Sequence, residues 1–342
     1  MRWRGDMNRR QLLSMLASLS GSLGAASLLA ACGLGAALPS KIPHVGYVDI
    51  GPQPVANLAD HPFSKGLRDL GYLEGKTVVV DYRFANNDEQ RLKGLVTELV
   101  TASVNVLVTA GSGGQALFVA KQATTTIPIV AASGGGDPVK EGWAVSLAHP
   151  GGNITGNYSQ PLSMFTKRME VLKQTVPGLR TVAVLWDSSV ALQQGQFADT
   201  QQAARSLGIE VLSVEVRGPD DFDGAFRAAV AGQARGLVIL GGAASSYRSQ
   251  LASLANANHL ASITAQRAWP AGGGLLAYGP NSDQQLRYAA SYVDKIIKGA
   301  KPSDLPIEEP ANFDFVINLQ TAQALGLTIS PAILAQATEV IQ

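Results

Sequence analysis

Two neighbouring glycine-rich segments carry residues whose types and spacing could bind a small anion. Residues 110–115 read AGSGGQ, between an apolar run and an apolar helical pattern. Backbone N–H groups at a helix start, together with a serine hydroxyl, are donors for a carboxylate. Ser112 and Gly113 are therefore predicted ligand contacts. The alternative is that the glycines only permit a tight turn between strand and helix.

The second segment, residues 133–138 (SGGGDP), follows the next apolar run. The carboxyl ends of neighbouring parallel strands meet at one edge of a sheet, and ligands bind there. Ser133 is therefore predicted to complete a carboxylate site with Ser112. Asp137 is a further candidate contact, although an aspartate before proline more often forms a turn.

The second half of the chain offers candidates for the facing side of a cleft. Trp186 and Asp187 follow one apolar run, and Gln266 and Arg267 follow another. Trp186 is either an aromatic surface for ligand stacking or a core residue, and Tyr158 either lines the cleft or is buried with its hydroxyl satisfied. Asp187 or Gln266 would supply polar discrimination, and Arg267 suits an anionic group.

An enzymatic interpretation of the same residues is weaker. Residues 110–114 approximate a hydrolase nucleophile elbow, and Asp187 and His259 follow Ser112 in triad order. A cell-envelope serine hydrolase using Ser112 is thus an alternative, but chance easily satisfies that order. The dinucleotide-binding pattern is also poorly met, because the segment follows the third predicted strand and no acid ends the next one. No catalytic residue and no cofactor are expected.

The N-terminus has the features of an export signal. Arg9 and Arg10 precede an apolar, small-residue stretch that ends in LAAC at residues 29–32, a sequence that resembles a lipobox. We predict a signal peptide with lipobox at residues 1–32, a lipid on Cys32 and a tether at residues 33–41. The protein would be exported to the periplasm or cell envelope. An uncut membrane helix, or cleavage that discards Cys32, are the alternatives.

Composition narrows the classes of partner. Cys32 is the only cysteine, so the domain beyond it has no disulfide or thiolate ligand. The net charge is +1 and charged residues make up 15% of the chain, which does not favour a nucleic-acid partner. The four histidines are far apart in sequence, so no metal site is expected. A monomer is expected.

From residue 43 onwards, apolar strand-like runs alternate with helical periods. Strands are predicted at residues 43–49, 77–83, 104–109, 127–132, 181–186, 209–216, 236–240, 262–266, 274–278 and 313–317. This alternation indicates an α/β fold with two doubly wound parallel-sheet lobes joined by a multi-crossover hinge. Residues 42–157 plus 279–307 would form one lobe, and 158–278 plus 308–342 the other.

Several segments together resemble a known family. They are residues 71–76 (GYLEGK), 120–124 (AKQAT), 127–130 (IPIV), 136–139 (GDPV), 149–156 (HPGGNITG), 292–306 (YVDKIIKGAKPSDLP) and 316–322 (VINLQTA). From about residue 43 to its C-terminus, the chain is similar to the tryptophan/tyrosine-type substrate-binding proteins of ABC transporters, which have a periplasmic-binding-protein type I-like fold.

The resemblance implies a cleft that closes on a small solute and a permease that recognises the closed form. It also implies that Ser112, Gly113 and Ser133 hold an amino acid's carboxylate. One departure concerns the ammonium group, because residues 241–244 read GGAA where family members often carry an acid. Unless Asp187 or Asp49 substitutes, a buried ammonium would have no acceptor. A module that senses a ligand for a membrane receptor is a further alternative to import.

Overall fold

The computed structural model describes residues 42–53, 57–111, 114–159, 161–241 and 243–342. The predicted signal peptide, Cys32 and the tether at residues 33–41 lie outside the described residues. So do Ser112 and Gly113.

The first sheet has six strands, and all its pairings are parallel. Its strands are β1 (His44–Asp49), β2 (Val79–Phe84), β3 (Val106–Ala110), β4 (Ile129–Gly134), β5 (Ile154–Tyr158) and β11 (Ile307–Glu308). They lie in the order β11-β5-β4-β3-β1-β2. One face is covered by α1 (Pro62–Asp69) and α10 (Ser282–Ile297), and the other by α2 (Glu89–Thr101) and α3 (Gln115–Ala123). We call this sheet and its helices lobe 1.

The second sheet has seven strands. They are β6 (Thr181–Trp186), β7 (Glu210–Glu215), β8 (Gly236–Ile239), β9 (Ala261–Thr264), β10 (Leu276–Pro280), β12 (Phe313–Asn318) and β13 (Glu339–Ile341). Their order is β13-β12-β10-β9-β8-β6-β7, and β12 runs antiparallel to β10. This sheet and its helices form lobe 2. The helices are α4 (Leu162–Thr175), α5 (Ala191–Ser206), α6 (Phe222–Ala231), α7 (Ala243–Ser246), α8 (Arg248–Ala257), α9 (Ala268–Ala271), α11 (Leu319–Ala324) and α12 (Pro331–Leu334).

The chain passes between the two sheets three times. It leaves lobe 1 after β5, returns when β10 leads into α10, and leaves again between β11 and β12. Helix α10 packs on α1 and on β3, β4 and β5, so it belongs to lobe 1 although it follows a strand of lobe 2. The predicted fold class, two doubly wound parallel-sheet lobes with a multi-crossover hinge, is confirmed.

The inner strands of both sheets are buried on both faces, which is why they read as apolar runs without polar alternation. All five residues of β3 are buried, and so are all four of β8 and of β9. Helix α2 begins where the side chain of Asp88 accepts hydrogen bonds from the N–H groups of Gln90 and Arg91. Among the described residues, no helix has the length and apolar character needed to cross a membrane.

The apolar pattern of the sequence predicts no strand at residues 154–158, where the structure has β5. The segment contains Gly156 and Asn157, which have low strand propensity, so its pattern is weak. Gly156 has φ +120°, and a Cβ at this position would lie 2.2 Å from the carbonyl oxygen of Ala131 on β4. The close approach of two backbones, and not an apolar pattern, therefore defines this strand.

Candidate functional site

A cavity of about 400 Å³ lies between the two lobes, at the carboxyl ends of their strands. Lobe 1 contributes Asp49, Gly111, Ala132, Ser133, Ser159 and the start of α10 with Asn281, Ser282, Asp283, Gln285 and Leu286. Lobe 2 contributes Arg248, Ala265, Gln266, Arg267, Ala268, Pro280 and Asp314. We call it the cleft cavity. It lies where open α/β sheets bind their ligands.

Asp49 ends β1 at the floor of the cleft cavity. Its Oδ1 accepts a hydrogen bond from the N–H of Gly51 (2.7 Å), and its Oδ2 accepts one from the hydroxyl of Tyr47 (3.2 Å). Burial raises the pKa of this carboxyl because it disfavours the charged form, and the two hydrogen bonds only partly offset that effect. Gly111, at φ +97°, approaches so closely that a Cβ would lie 2.5 Å from Asp49 Oδ1. Asp49 is thus a carboxylate positioned for a cationic or hydrogen-bond-donating group.

Replacing Asp49 with asparagine is expected to raise the free energy of unfolding at neutral pH. The native pKa lies above the ordinary 3.8, so stability falls as pH rises through the interval between these two values. Asparagine removes that dependence, and its Oδ1 can still accept from Gly51. Chemical denaturation between pH 3.5 and 8 measures the effect. Exposed Asp60→Asn is the control, and an equal response of both variants would contradict the prediction.

Ser133 lies near the end of β4 and lines the cleft cavity as the strand-end rule predicts. Its hydroxyl donates a hydrogen bond to the carbonyl oxygen of Gly111 at 2.7 Å. A serine hydroxyl has one hydrogen, so in this arrangement Ser133 offers a solute acceptor lone pairs only. Donors for a carboxylate must come from other groups of the cavity.

Three polar atoms on the wall of the cleft cavity are buried and have no hydrogen-bond partner among the described residues. They are Nε of Arg248, Oε1 of Gln266 and Nε2 of Gln285. Buried polar atoms in native proteins almost always have partners, and exceptions need an explanation. The three residues come from three elements and line one cavity, and buried polar atoms without partners beside a cavity are expected of a polar binding site without its ligand.

The cleft cavity is lined by charges of both signs. Arg267 donates from Nε and Nη2 to Oε2 of Glu339, at 3.2 and 2.6 Å. This bond, together with the charges of Glu339, Asp314 and Asp283, raises the pKa of Arg267. Arginines and aspartates on one cavity suit a solute that carries both a negative and a positive group.

Trp186 and Asp187 do not line the cleft cavity. The indole of Trp186 stacks on Phe197 with ring centroids 4.3 Å apart, and its Nε1 donates to Ser213 Oγ. Side chains alternate along a strand, so Trp186 lies on the same core-facing side as Val182 and Val184. Asp187 accepts from the N–H and hydroxyl of Ser189 in the turn before α5.

Tyr158 and Asp137 also lie outside the lining of the cleft cavity. Tyr158 is buried, and its hydroxyl donates to Glu309 Oε1 at 2.5 Å, which links the first and third crossings of the hinge. Desolvation and the carboxylate of Glu309 raise the pKa of Tyr158 well above its usual value. Asp137 accepts from the N–H groups of Val139 and Lys140 and so forms a turn.

The structure does not assemble the residues of the hydrolase alternative. Asp187 follows β6, whereas His259 precedes β9, and these two strands run parallel in one sheet. Asp187 therefore lies at the carboxyl ends of the strands, and His259 lies at their amino ends. Within the described ranges, no group of three or more His, Cys, Asp or Glu side chains could hold a metal ion.

Sequence reasoning missed two of the atoms without partners. Arg248 begins α8, and Gln285 lies in the second turn of α10, so neither residue directly follows a strand. The available signal was Asn281, a good N-cap residue after the predicted strand at 274–278. A helix that begins at Asn281 starts at the carboxyl ends of the strands, where Gln266 also lies.

Comparisons with known proteins agree with this fold. A model of the ABC transporter substrate binding protein family matches residues 53–341. The chain belongs to this family, whose members act outside the cytoplasm with a small-molecule ligand and an ABC permease.

The individual relatives share only a quarter or less of their sequence with this chain. The tyrosine-binding protein of Clostridioides difficile is 23% identical over 282 residues, which are 80% of each protein. A Streptococcus pneumonia ABC domain solved in complex with L-Trp has a TM-score of 0.78 at 22% identity, over 88% of this chain and all of that one. A conserved domain protein of Vibrio cholerae has the same TM-score and coverage at 25% identity.

Proposed function

We propose that this protein binds a small carboxylate-bearing solute in the cleft cavity and delivers it to an ABC permease for import. The observation that carries the proposal is a set of three buried atoms, on Arg248, Gln266 and Gln285, that have no partner in the part of the chain that the structure describes. Leaving such atoms unpaired costs about 1–3 kcal/mol each, and more for the charged group. A solute that pairs them recovers this free energy on binding.

Zwitterionic amino acids are the first candidates. One relative is named as a tyrosine-binding protein, and one structural neighbour was solved with L-Trp. The absence of an acid at residues 241–244 does not leave an ammonium group without an acceptor, since Asp49, Asp283 and Asp314 line the cleft cavity. A cavity of about 400 Å³ is within the range of small-ligand sites.

The residues predicted from the sequence as ligand contacts have different roles in this proposal. Gln266 and Ser133 contact the solute directly, and Ser112 and Gly113, between Gly111 and Gly114, stay predicted donors. Contacts with Asp137, Tyr158, Trp186 and Asp187 also stay predictions. Each of these four side chains would first have to exchange the partner it has here.

We further propose that the protein is a monomer held at the membrane by a lipid on Cys32. The support is the LAAC sequence after an apolar stretch. Several acyl chains at one residue would make such an anchor durable. Mass spectrometry of the mature protein tests this, because an N-terminal peptide without a lipid would exclude the anchor.

Calorimetric titration of the purified protein with L-tyrosine, L-tryptophan and benzoate tests the proposed function. We expect at least one of them to bind with a Kd in the micromolar range or below. Binding to the folded state should also raise the melting temperature. Tyramine, which lacks the carboxylate, is the matched control and should bind far more weakly. If all three carboxylates fail to bind, the proposal is wrong.

A further inference from the structure

The first turn of α10 lines the cleft cavity and carries backbone N–H groups without partners in the helix. The first N–H groups of any helix have no partner within it, and here Ser282 and Asp283 line the cavity. Asn281 caps the helix by accepting from Gln284 N–H at 2.9 Å, so its side chain does not occupy the two earlier N–H groups. At 16 residues, α10 is long enough to direct its positive dipole end at the cavity.

Gln285 is a second, independent indication of a ligand at this place. The residue is only 6% exposed, it lines the cleft cavity, and its Nε2 has no partner among the described residues. It also lines a smaller hinge cavity of about 230 Å³, so its carboxamide lies in the wall between the two. A leucine would fill the same space without leaving an unpaired donor.

The surroundings favour an anion at this turn in spite of Asp283 and Asp314. Asp314 Oδ1 already accepts from Asn281 Nδ2 at 3.0 Å. Arg248 and Arg267 line the same cavity from lobe 2. Cationic side chains of lobe 2 therefore line the cavity that an anion on α10 would occupy. Ser133, whose only hydroxyl hydrogen is donated to Gly111, would not donate to such an anion.

We propose that the first turn of α10 and the carboxamide of Gln285 form an oxyanion site that holds the carboxylate of the solute. This inference rests on the proposed function and locates its anionic contact at the hinge side of the cleft. The N–H groups of Ser282 and Asp283 and Nε2 of Gln285 donate to the carboxylate oxygens. Because α10 directly follows the second crossing, a carboxylate bound there contacts the hinge itself.

The test is calorimetric titration of Gln285→Leu with whichever of L-tyrosine, L-tryptophan and benzoate binds the wild type. Loss of a hydrogen bond to a charged oxygen should raise Kd by about 10- to 100-fold. The melting temperature without solute should stay the same or rise, because a buried unpaired donor is removed. Gln285→Glu, which places a negative charge beside the carboxylate, should bind more weakly still.

Gln323→Leu, an exposed change on α11, is the control and should bind like the wild type. Wild-type affinity in Gln285→Leu would overturn the oxyanion site and would leave the proposed function standing. That result would mean that a water in the hinge cavity satisfies the amide. If none of the three carboxylates binds the wild type, the proposed function fails and the oxyanion site fails with it.

Discussion

Replacing Arg248 with methionine is expected to weaken the binding of a carboxylate solute by about 10- to 150-fold, or about 1.5–3 kcal/mol. Nε of Arg248 is buried on the cleft cavity without a partner among the described residues. Its aliphatic stem packs so closely on Gly272 that a Cβ there would lie 2.4 Å from Arg248 Cδ. Methionine keeps this apolar contact and removes the guanidinium.

Two further variants define the role of Arg248 in calorimetric titrations. Arg248→Lys keeps the charge but not the planar arrangement of donors, so it should recover only part of the affinity. Arg227→Met removes an exposed arginine on α6 of the same lobe and should leave Kd unchanged. Equal losses in Arg227→Met and Arg248→Met would show a general electrostatic effect and would exclude a direct contact.

Replacing Gly156 with alanine is expected to destabilise the protein by about 3 kcal/mol or more. At φ +120° an L-residue is strained, and the added Cβ would lie 2.2 Å from the carbonyl oxygen of Ala131. Relief requires β5 to move away from β4, which disturbs the sheet and the first hinge crossing together. Urea denaturation, with the midpoint and the m-value both recorded, measures the loss.

Gly178→Ala is the matched control, since Gly178 has φ +69° and nothing within 4 Å of an added Cβ. It should cost about 1 kcal/mol from backbone strain alone. If both variants lose the same free energy of unfolding, then the contact between β4 and β5 is not what requires glycine at residue 156.

The fold could be predicted because the physical signal of a doubly wound sheet is local. Strands buried on both faces must be apolar throughout, so residues 181–186 and 236–240 are recognisable without any knowledge of their neighbours. Strand β5 does not follow this rule, because close backbone contact at Gly156 defines it. The sequence predicted more than one crossing between the lobes but not their number. The second crossing depends on the packing of α10 on lobe 1, and this tertiary contact leaves no local pattern in the sequence.

The candidate site was predictable only where it follows strand ends. Ser133 and Gln266 line the cleft cavity for this reason. Trp186 also ends a strand, but the alternation of side chains turns it towards the core with Val182 and Val184. Arg248 and Gln285 lie on helices, and only the three-dimensional arrangement of the lobes brings their unpaired atoms to the cavity. The hydrogen bond from Ser133 to Gly111 likewise cannot be predicted from the sequence.

The central claim is that a small carboxylate solute lies in the cleft cavity, between the two lobes. A crystal structure of the protein grown with the tightest-binding carboxylate tests it most directly. We predict electron density for one solute in contact with Gln266 of lobe 2 and with Gln285 and Asp49 of lobe 1. Solute density at any other place, with the cleft cavity filled only by water, would contradict the account.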